Sequence, residues 1–154
     1  MPARPTWMPR SIARVWLYVQ ALFSLVLARA LLRLARRASI RWATTRAGGR
    51  VTADAAGVDT RVVASALAGA VAGVAPRRFV NATCLEQALG LVCLLALRRR
   101  PGGLAIGVRR EHGSLRAHAW VECHGEVVLG GGPLLGRLAR LPPASVRTFP
   151  SWSS

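Results

Sequence analysis

Apolar positions run at helical spacing through the first two thirds of this chain and change to short, alternating runs from Leu104 onward. Residues 12–35 (IARVWLYVQALFSLVLARALLRLA) are dense in Leu, Ala, Val and Arg and hold neither Gly nor Pro. That pattern predicts one long helix. Its uninterrupted apolar part, residues 15–28, includes Gln20 and is bounded by Arg14 and Arg29, short of the ~20 residues that cross a bilayer. An arginine-flanked apolar start also resembles a signal peptide, but no small-residue cleavage site follows cleanly and the next stretch is basic. The helix therefore packs on the domain or on a partner, or lies at a membrane surface where arginines meet anionic headgroups. Residues 41–54, with Gly48-Gly49 and no clear period, read as a linker. The expected division is a hydrophobic, Arg-rich helical segment over residues 1–46 and a second domain over residues 47–154.

In that second domain Asp59 or Thr60 offers a cap for a helix through RVVASALAGAVAG, closed by Pro76 and the Arg77-Arg78 pair. Asn81 or Thr83 then caps CLEQALGLVCLLALRRR, which stops at Pro101 and Gly102-Gly103. Residues 104–108 predict a strand, followed by a polar loop through Glu111, His112 and Gly113. RAHAWVEC and EVVLGGG predict two further strands turning at His124-Gly125. From Pro133 the Pro-, Arg- and Ser-rich tail is expected to finish as loop.

Composition narrows the class. The 154 residues are the size of one ordinary domain, and 52% hydrophobic content suffices for one core. The 22 basic residues against 6 acidic ones give a net charge of +16, and every basic residue is arginine. One source of that bias is a GC-rich coding sequence. A functional source is attraction to a negatively charged partner. Nucleic acid is the poorest fit, because no zinc finger, RNP-type aromatic pair or basic-region heptad accompanies the charge. Cys84, Cys93 and Cys123 make an odd count without CxxC spacing. They suggest neither a disulfide framework nor a zinc site, and a reducing cytoplasm fits best.

Cys84 falls at a predicted helix start and His118 on a predicted strand, an arrangement suited to thiol catalysis. A helix N-terminus favours a thiolate through its dipole and unpaired N–H groups, as does a neighbouring imidazolium. The same amides, beginning with the backbone of Cys84, can donate to the oxyanion of a tetrahedral intermediate. His118 would act as base and then protonate the departing amine. Taken singly, a cysteine near a helix start is usually a small buried hydrophobe and a strand histidine a structural residue. Cys93, deep in the apolar helix, and Cys123 read as structural.

CLEQALGLVCLLALRRRPGGLAIGVRRE followed by AHAWVECHGEVVLGG resembles the core of lasso peptide B2 proteins, members of the transglutaminase-like and papain-like cysteine protease group. The matching elements are Cys84-Leu85, Ile106-Gly107-Val108-Arg109 and Ala117-His118-Ala119-Trp120-Val121-Glu122. The resemblance implies an α+β fold, with a helix bearing the nucleophile Cys84 packed on a small antiparallel sheet that carries the base His118. It implies no cofactor or metal. It also implies a cytoplasmic leader peptidase, membrane-associated if the N-terminal helix lies on lipid. Its partners would be a precursor peptide, a leader-recognition-element protein and a macrolactam cyclase.

The family commonly places an aspartate twelve residues beyond the histidine, and here that position is Gly130. A hairpin turning at His124-Gly125 would set residues 130 and 131 opposite 118 and 119. Glu126 or Glu122, a backbone carbonyl or a partner protein could orient the imidazole instead, or a Cys-His dyad could act alone. Rival readings are a non-catalytic peptide-binding scaffold, an amidase or acyltransferase acting on another amide, and a membrane-surface protein.

Overall fold

The structure, a computed structural model, describes residues 10–45, 57–76, 81–133 and 135–142. Three α-helices, α1 (Arg10–Thr45), α2 (Gly57–Val74) and α3 (Cys84–Leu97), precede four strands, β1 (Gly103–Glu111), β2 (Ser114–Cys123), β3 (Glu126–Leu129) and β4 (Ala139–Arg140). The strands form one antiparallel sheet in the order β3-β2-β1-β4. The expected α+β architecture is present.

α1 runs further than its apolar pattern suggested. The helical path breaks at Ala35 (φ −141°, ψ 42°), where the expected helix ends, and then resumes to Thr45. Ser39 Oγ donates to the Ala35 carbonyl at 2.9 Å, satisfying an acceptor at the break. Ile40, Ala43 and Thr44 are buried, so the first residues of the expected linker are a packed helical turn. The remainder of that linker, from residue 46, lies outside the described residues.

α2 starts at Gly57, ahead of both expected caps. Asp59 and Thr60 are instead met by Arg100, which donates to Asp59 Oδ2 at 2.5 Å and to Thr60 Oγ1 at 3.1 Å. The expected stop at Pro76 follows the helix end, and Arg77-Arg78 lies outside the described residues.

Of the two candidate caps for α3, Thr83 is the one used. Its hydroxyl accepts from the Glu86 amide at 3.3 Å, while Glu86 Oε2 accepts from the Thr83 amide at 2.7 Å. This reciprocal pair satisfies two otherwise open donors at the first turn. Asn81, at φ 37°, belongs to the approach.

One core joins these parts. Ala21, Leu25 and Ala28 of α1, Leu67 and Val71 of α2, and Leu89, Leu91, Val92 and Leu95 of α3 pack with Leu104, Ile106, Ala119, Val121 and Cys123 of the sheet. α1 and α3 approach closely at Gly90, where a β-carbon would sit 3.2 Å from Ser24 Oγ and 3.4 Å from its backbone. Beside this crossing, Arg29 Nε donates to Glu86 Oε1 at 2.7 Å and Nη2 to Oε2 at 3.2 Å. The cap of α3 is thereby tied to the middle of α1.

That tie carries a pH signature. The hydrogen bond from Arg29 holds the Glu86 carboxyl below its ordinary value of 4.5, burial opposes the shift, and the Thr83 amide reinforces it. A depressed folded pKa stabilises the fold above the unfolded value and is lost as pH falls through the folded one. Glu86→Gln is therefore expected to lower the melting temperature at pH 7 and to narrow its gap from the parent protein as pH falls below 4.5. Thermal melts across that range check it, and a gap independent of pH would refute the assignment.

The strands meet through two-residue turns. His112-Gly113 and His124-Gly125 both take positive φ (48° and 79°, 51° and 79°), the conformation of tight antiparallel hairpins. The polar loop expected after β1 thus contracts to a turn, because Glu111 and Ser114 pair across it. The tail also departs from expectation. After a short 3-10 turn at Leu135–Arg137, residues 139 and 140 pair with Val108 and Gly107, adding β4 to the edge of β1.

Candidate active site

Cys84 is the first residue of α3, immediately after the Thr83 cap. It is half-buried, at the margin of the helical core beside Ala82 and Leu85. The other two cysteines differ sharply. Cys93 is buried within α3. Cys123 donates to the Pro101 carbonyl at 3.3 Å, and burial pushes its thiol up to about 11. Cys123 is therefore a neutral thiol at physiological pH.

His118 lies in the middle of β2, opposite Gly107 of β1. Alternation along the strand places His118, Trp120 and Glu122 on one face and Ala119, Val121 and Cys123 on the other, the face that meets the helices. The His118 ring stacks on Trp120, with centroids 6.4 Å apart and planes 19° from parallel. Trp120 Nε1 donates to Glu122 Oε1 at 2.7 Å, and Glu122 is gripped by Arg140 of β4 through two bonds of 3.0 and 2.8 Å. The added edge strand thus braces the row that begins at His118.

The partner of the imidazole is a backbone atom. His118 Nε2 lies 2.8 Å from the Gly130 carbonyl oxygen. A carbonyl oxygen only accepts, so Nε2 carries the proton and, in the neutral ring, Nδ1 keeps its lone pair. This is the tautomer a base working through Nδ1 requires.

Gly130 reaches that place because β3 is irregular. Cys123 pairs with Glu126 and Glu122 with Val127, but Val121 pairs with Leu129, leaving Val128 as an extra residue. The pairing expected between residues 130–131 and 118–119 is not made, since β3 ends at Leu129. Gly130 then takes φ 76°, and a β-carbon there would meet the Ala119 carbonyl oxygen at 2.9 Å. Glycine is what this turn requires.

Neither candidate carboxylate is bonded to the histidine. Glu126 forms an ion pair of 2.7 Å with Arg61 of α2 at the far end of the hairpin, and Glu122 is committed to Trp120 and Arg140. Of the alternatives raised from the sequence, the backbone carbonyl occupies Nε2. A cavity of about 390 Å³ opens beside the ring, lined by Arg109, Arg116, His118, the Gly130–Pro133 turn and Leu138. Arg109 and Arg116 are cross-strand partners that share Glu111, at 2.8 and 3.8 Å, so this wall carries net positive charge.

The structure brings His118 and Gly130 together. It does not join Cys84 to His118 by a hydrogen bond, and Cys84 is not part of the cavity wall. The family resemblance points to Gly130 as the aspartate position, but the role of Gly130 rests on a φ set by the bulge at Val128, which no local sequence signal marks. No group of three or more metal-ligating side chains occurs among the described residues.

A family model described as Transglutaminase-like superfamily matches residues 21–142, spanning most of α1, all of α2 and α3, and the whole sheet. The chain belongs to the transglutaminase-like superfamily. Its members are commonly cysteine-dependent enzymes, proteases or acyltransferases. No curated protein and no solved structure matches the chain. In this superfamily member the match begins inside α1, which agrees with Ala21, Leu25 and Ala28 lying in the same core as α3 and the sheet.

Proposed function

We propose that this protein is a cysteine peptidase that removes the leader from a ribosomally made lasso precursor peptide, with Cys84 as nucleophile and His118 as base. The observation that carries the reading is the Nε2 to Gly130 bond, which leaves Nδ1 as the proton acceptor even though the usual aspartate is missing. Support also comes from the position of Cys84 at a capped helix start, from membership of a superfamily rich in cysteine-dependent enzymes, and from the Ala-His-Ala-Trp-Val-Glu element at residues 117–122.

In the proposed reaction the Cys84 sulfur attacks the scissile carbonyl, and backbone N–H groups at the start of α3, including that of Cys84, receive the developing oxyanion. His118 takes the thiol proton through Nδ1 and delivers it to the leaving amine. Water, deprotonated by the same nitrogen, then hydrolyses the thioester. The reaction needs no cofactor. It does require Cys84 and His118 to come within hydrogen-bond reach in the substrate complex. A leader-recognition protein would deliver the peptide, and a cyclase would receive the product.

The test is incubation of the purified protein with its recognition partner and precursor peptide, read by mass spectrometry. One leader cut is expected, and it should vanish in Cys84→Ala. Cutting that persists in that variant would overturn the assignment. The absence of Cys84 from the wall of the cavity beside His118 favours a second reading, a peptide-binding scaffold within the same maturation complex. On that reading the precursor binds equally well to Cys84→Ala and is never cut.

A further inference from the structure

The outer face of α1 has no counterpart in the chemistry above. Nine of the thirteen large hydrophobic side chains exposed among the described residues belong to this helix. Val15, Trp16, Val19, Leu22, Phe23 and Val26 are between 44% and 66% exposed. At 100° per residue these six fall on one side of the helix, opposite the buried Ala21, Ser24, Leu25 and Ala28. Exposed Leu97 at the end of α3 extends the surface, and a groove of about 540 Å³ runs between the two helices. Contiguous apolar surface of this kind marks a site of contact.

Charge identifies the occupant. Exposed Arg14 precedes the stripe, and exposed Arg33 and Arg36 follow it. Every carboxylate among the described residues, Asp59, Glu86, Glu111, Glu122 and Glu126, is already bonded to an arginine, and the whole chain carries +16. An apolar stripe holding Trp and Phe between arginines matches a surface with a hydrocarbon interior and anionic headgroups.

We infer that α1 docks its outer face on an anionic lipid bilayer, lying in the interface rather than crossing it. Counted beyond the uninterrupted apolar part at residues 15–28, which is too short by itself, residues 13–36 are long and apolar enough to span, with mean hydropathy 1.8. However, the inner face is sealed in the core, with Ala21 and Ala28 fully buried and Leu25 2% exposed, and Arg29 is tied to Glu86. Crossing would require tearing that core open, whereas lying flat buries only what is already exposed. The inference does not depend on the peptidase reading, because the face can bind lipid whether or not Cys84 reacts.

Flotation of the full chain with phosphatidylcholine vesicles, with and without phosphatidylglycerol, tests it. Binding is expected on the phosphatidylglycerol-containing vesicles and should weaken with added salt. The double variant Phe23→Glu and Val26→Glu should bind at least about tenfold less, while Val62→Glu, on exposed α2 surface, should bind as the parent does. Thermal melts verify that both variants are folded. Failure to float on anionic vesicles, or flotation unchanged in the double variant, overturns the inference. So does light scattering that shows a dimer dispersed by the double variant, since a second copy would then cover the face.

Discussion

Replacing Gly130 with alanine is expected to destabilise the protein by about 1–3 kcal/mol and, on the proposed function, to reduce leader cleavage by about a hundredfold or more. Two costs combine. An L side chain at φ 76° is strained, and its β-carbon would lie 2.9 Å from the Ala119 carbonyl oxygen and 3.1 Å from the Trp120 backbone. These neighbours are backbone and cannot swing aside, so the turn itself must move, taking the carbonyl away from Nε2 of His118. The imidazole then loses the acceptor that fixes its proton, and the neutral ring can carry it on either nitrogen.

Gly130→Asp makes the sharper experiment. It introduces the residue type that the resemblance to lasso B2 proteins would place here, yet it is expected to behave like alanine, because this backbone offers a carbonyl where a carboxylate would have to fit. Calorimetry reads the stability loss and the pH profile of cleavage reads the histidine. An aspartate variant more active than the parent would show that the carbonyl is a poor substitute and not the adopted solution.

The second large effect is expected at Trp120. Truncation to alanine should cost about 3–5 kcal/mol, as for other buried aromatic side chains. The indole is 5% exposed, and it links His118, which stacks on it, to Glu122 and through that to Arg140 on β4. Without it the row along β2 has a gap between the catalytic candidate and its brace. Trp120→Phe keeps a stacking surface and gives up the Nε1 bond, so it should recover most of the stability. Urea melts of the two variants decide the matter. Equal losses would mean that the Glu122 bond, rather than packing, holds the indole.

Local chemistry made much of this fold legible. Thr83 and Glu86, three apart ahead of an apolar run, form the capping pair that sets Cys84 at the first position of α3. Helix to sheet, the change of period near Leu104 was visible in the sequence, and the His-Gly turn after Cys123 fell where expected. Features that depend on distant partners were not visible. β4 is an Ala-Arg pair with no alternation to mark it, and it exists because the edge of β1 at Gly107 and Val108 is open. The continuation of α1 past Ala35 relies on Ile40 and Ala43 entering a core built mainly by other segments. The role of Gly130 depends on a one-residue shift at Val128, which no local pattern specifies.

The bridge between Arg29 and Glu86 joins residues 57 apart in the chain, and that separation has a consequence during synthesis. α1 leaves the ribosome before α3 exists. At the usual 5–20 residues per second, roughly 3–11 s pass between the appearance of the arginine and that of its glutamate. Throughout that interval Ala21, Leu25 and Ala28, which share a core with α3 in the finished protein, have at most α2 to cover them, and the stretch from residue 15 to 28 exposes apolar side chains on both its faces. Aggregation during translation, rather than instability of the folded state, is thus the hazard this chain order creates, and a chaperone or a nearby bilayer would relieve it.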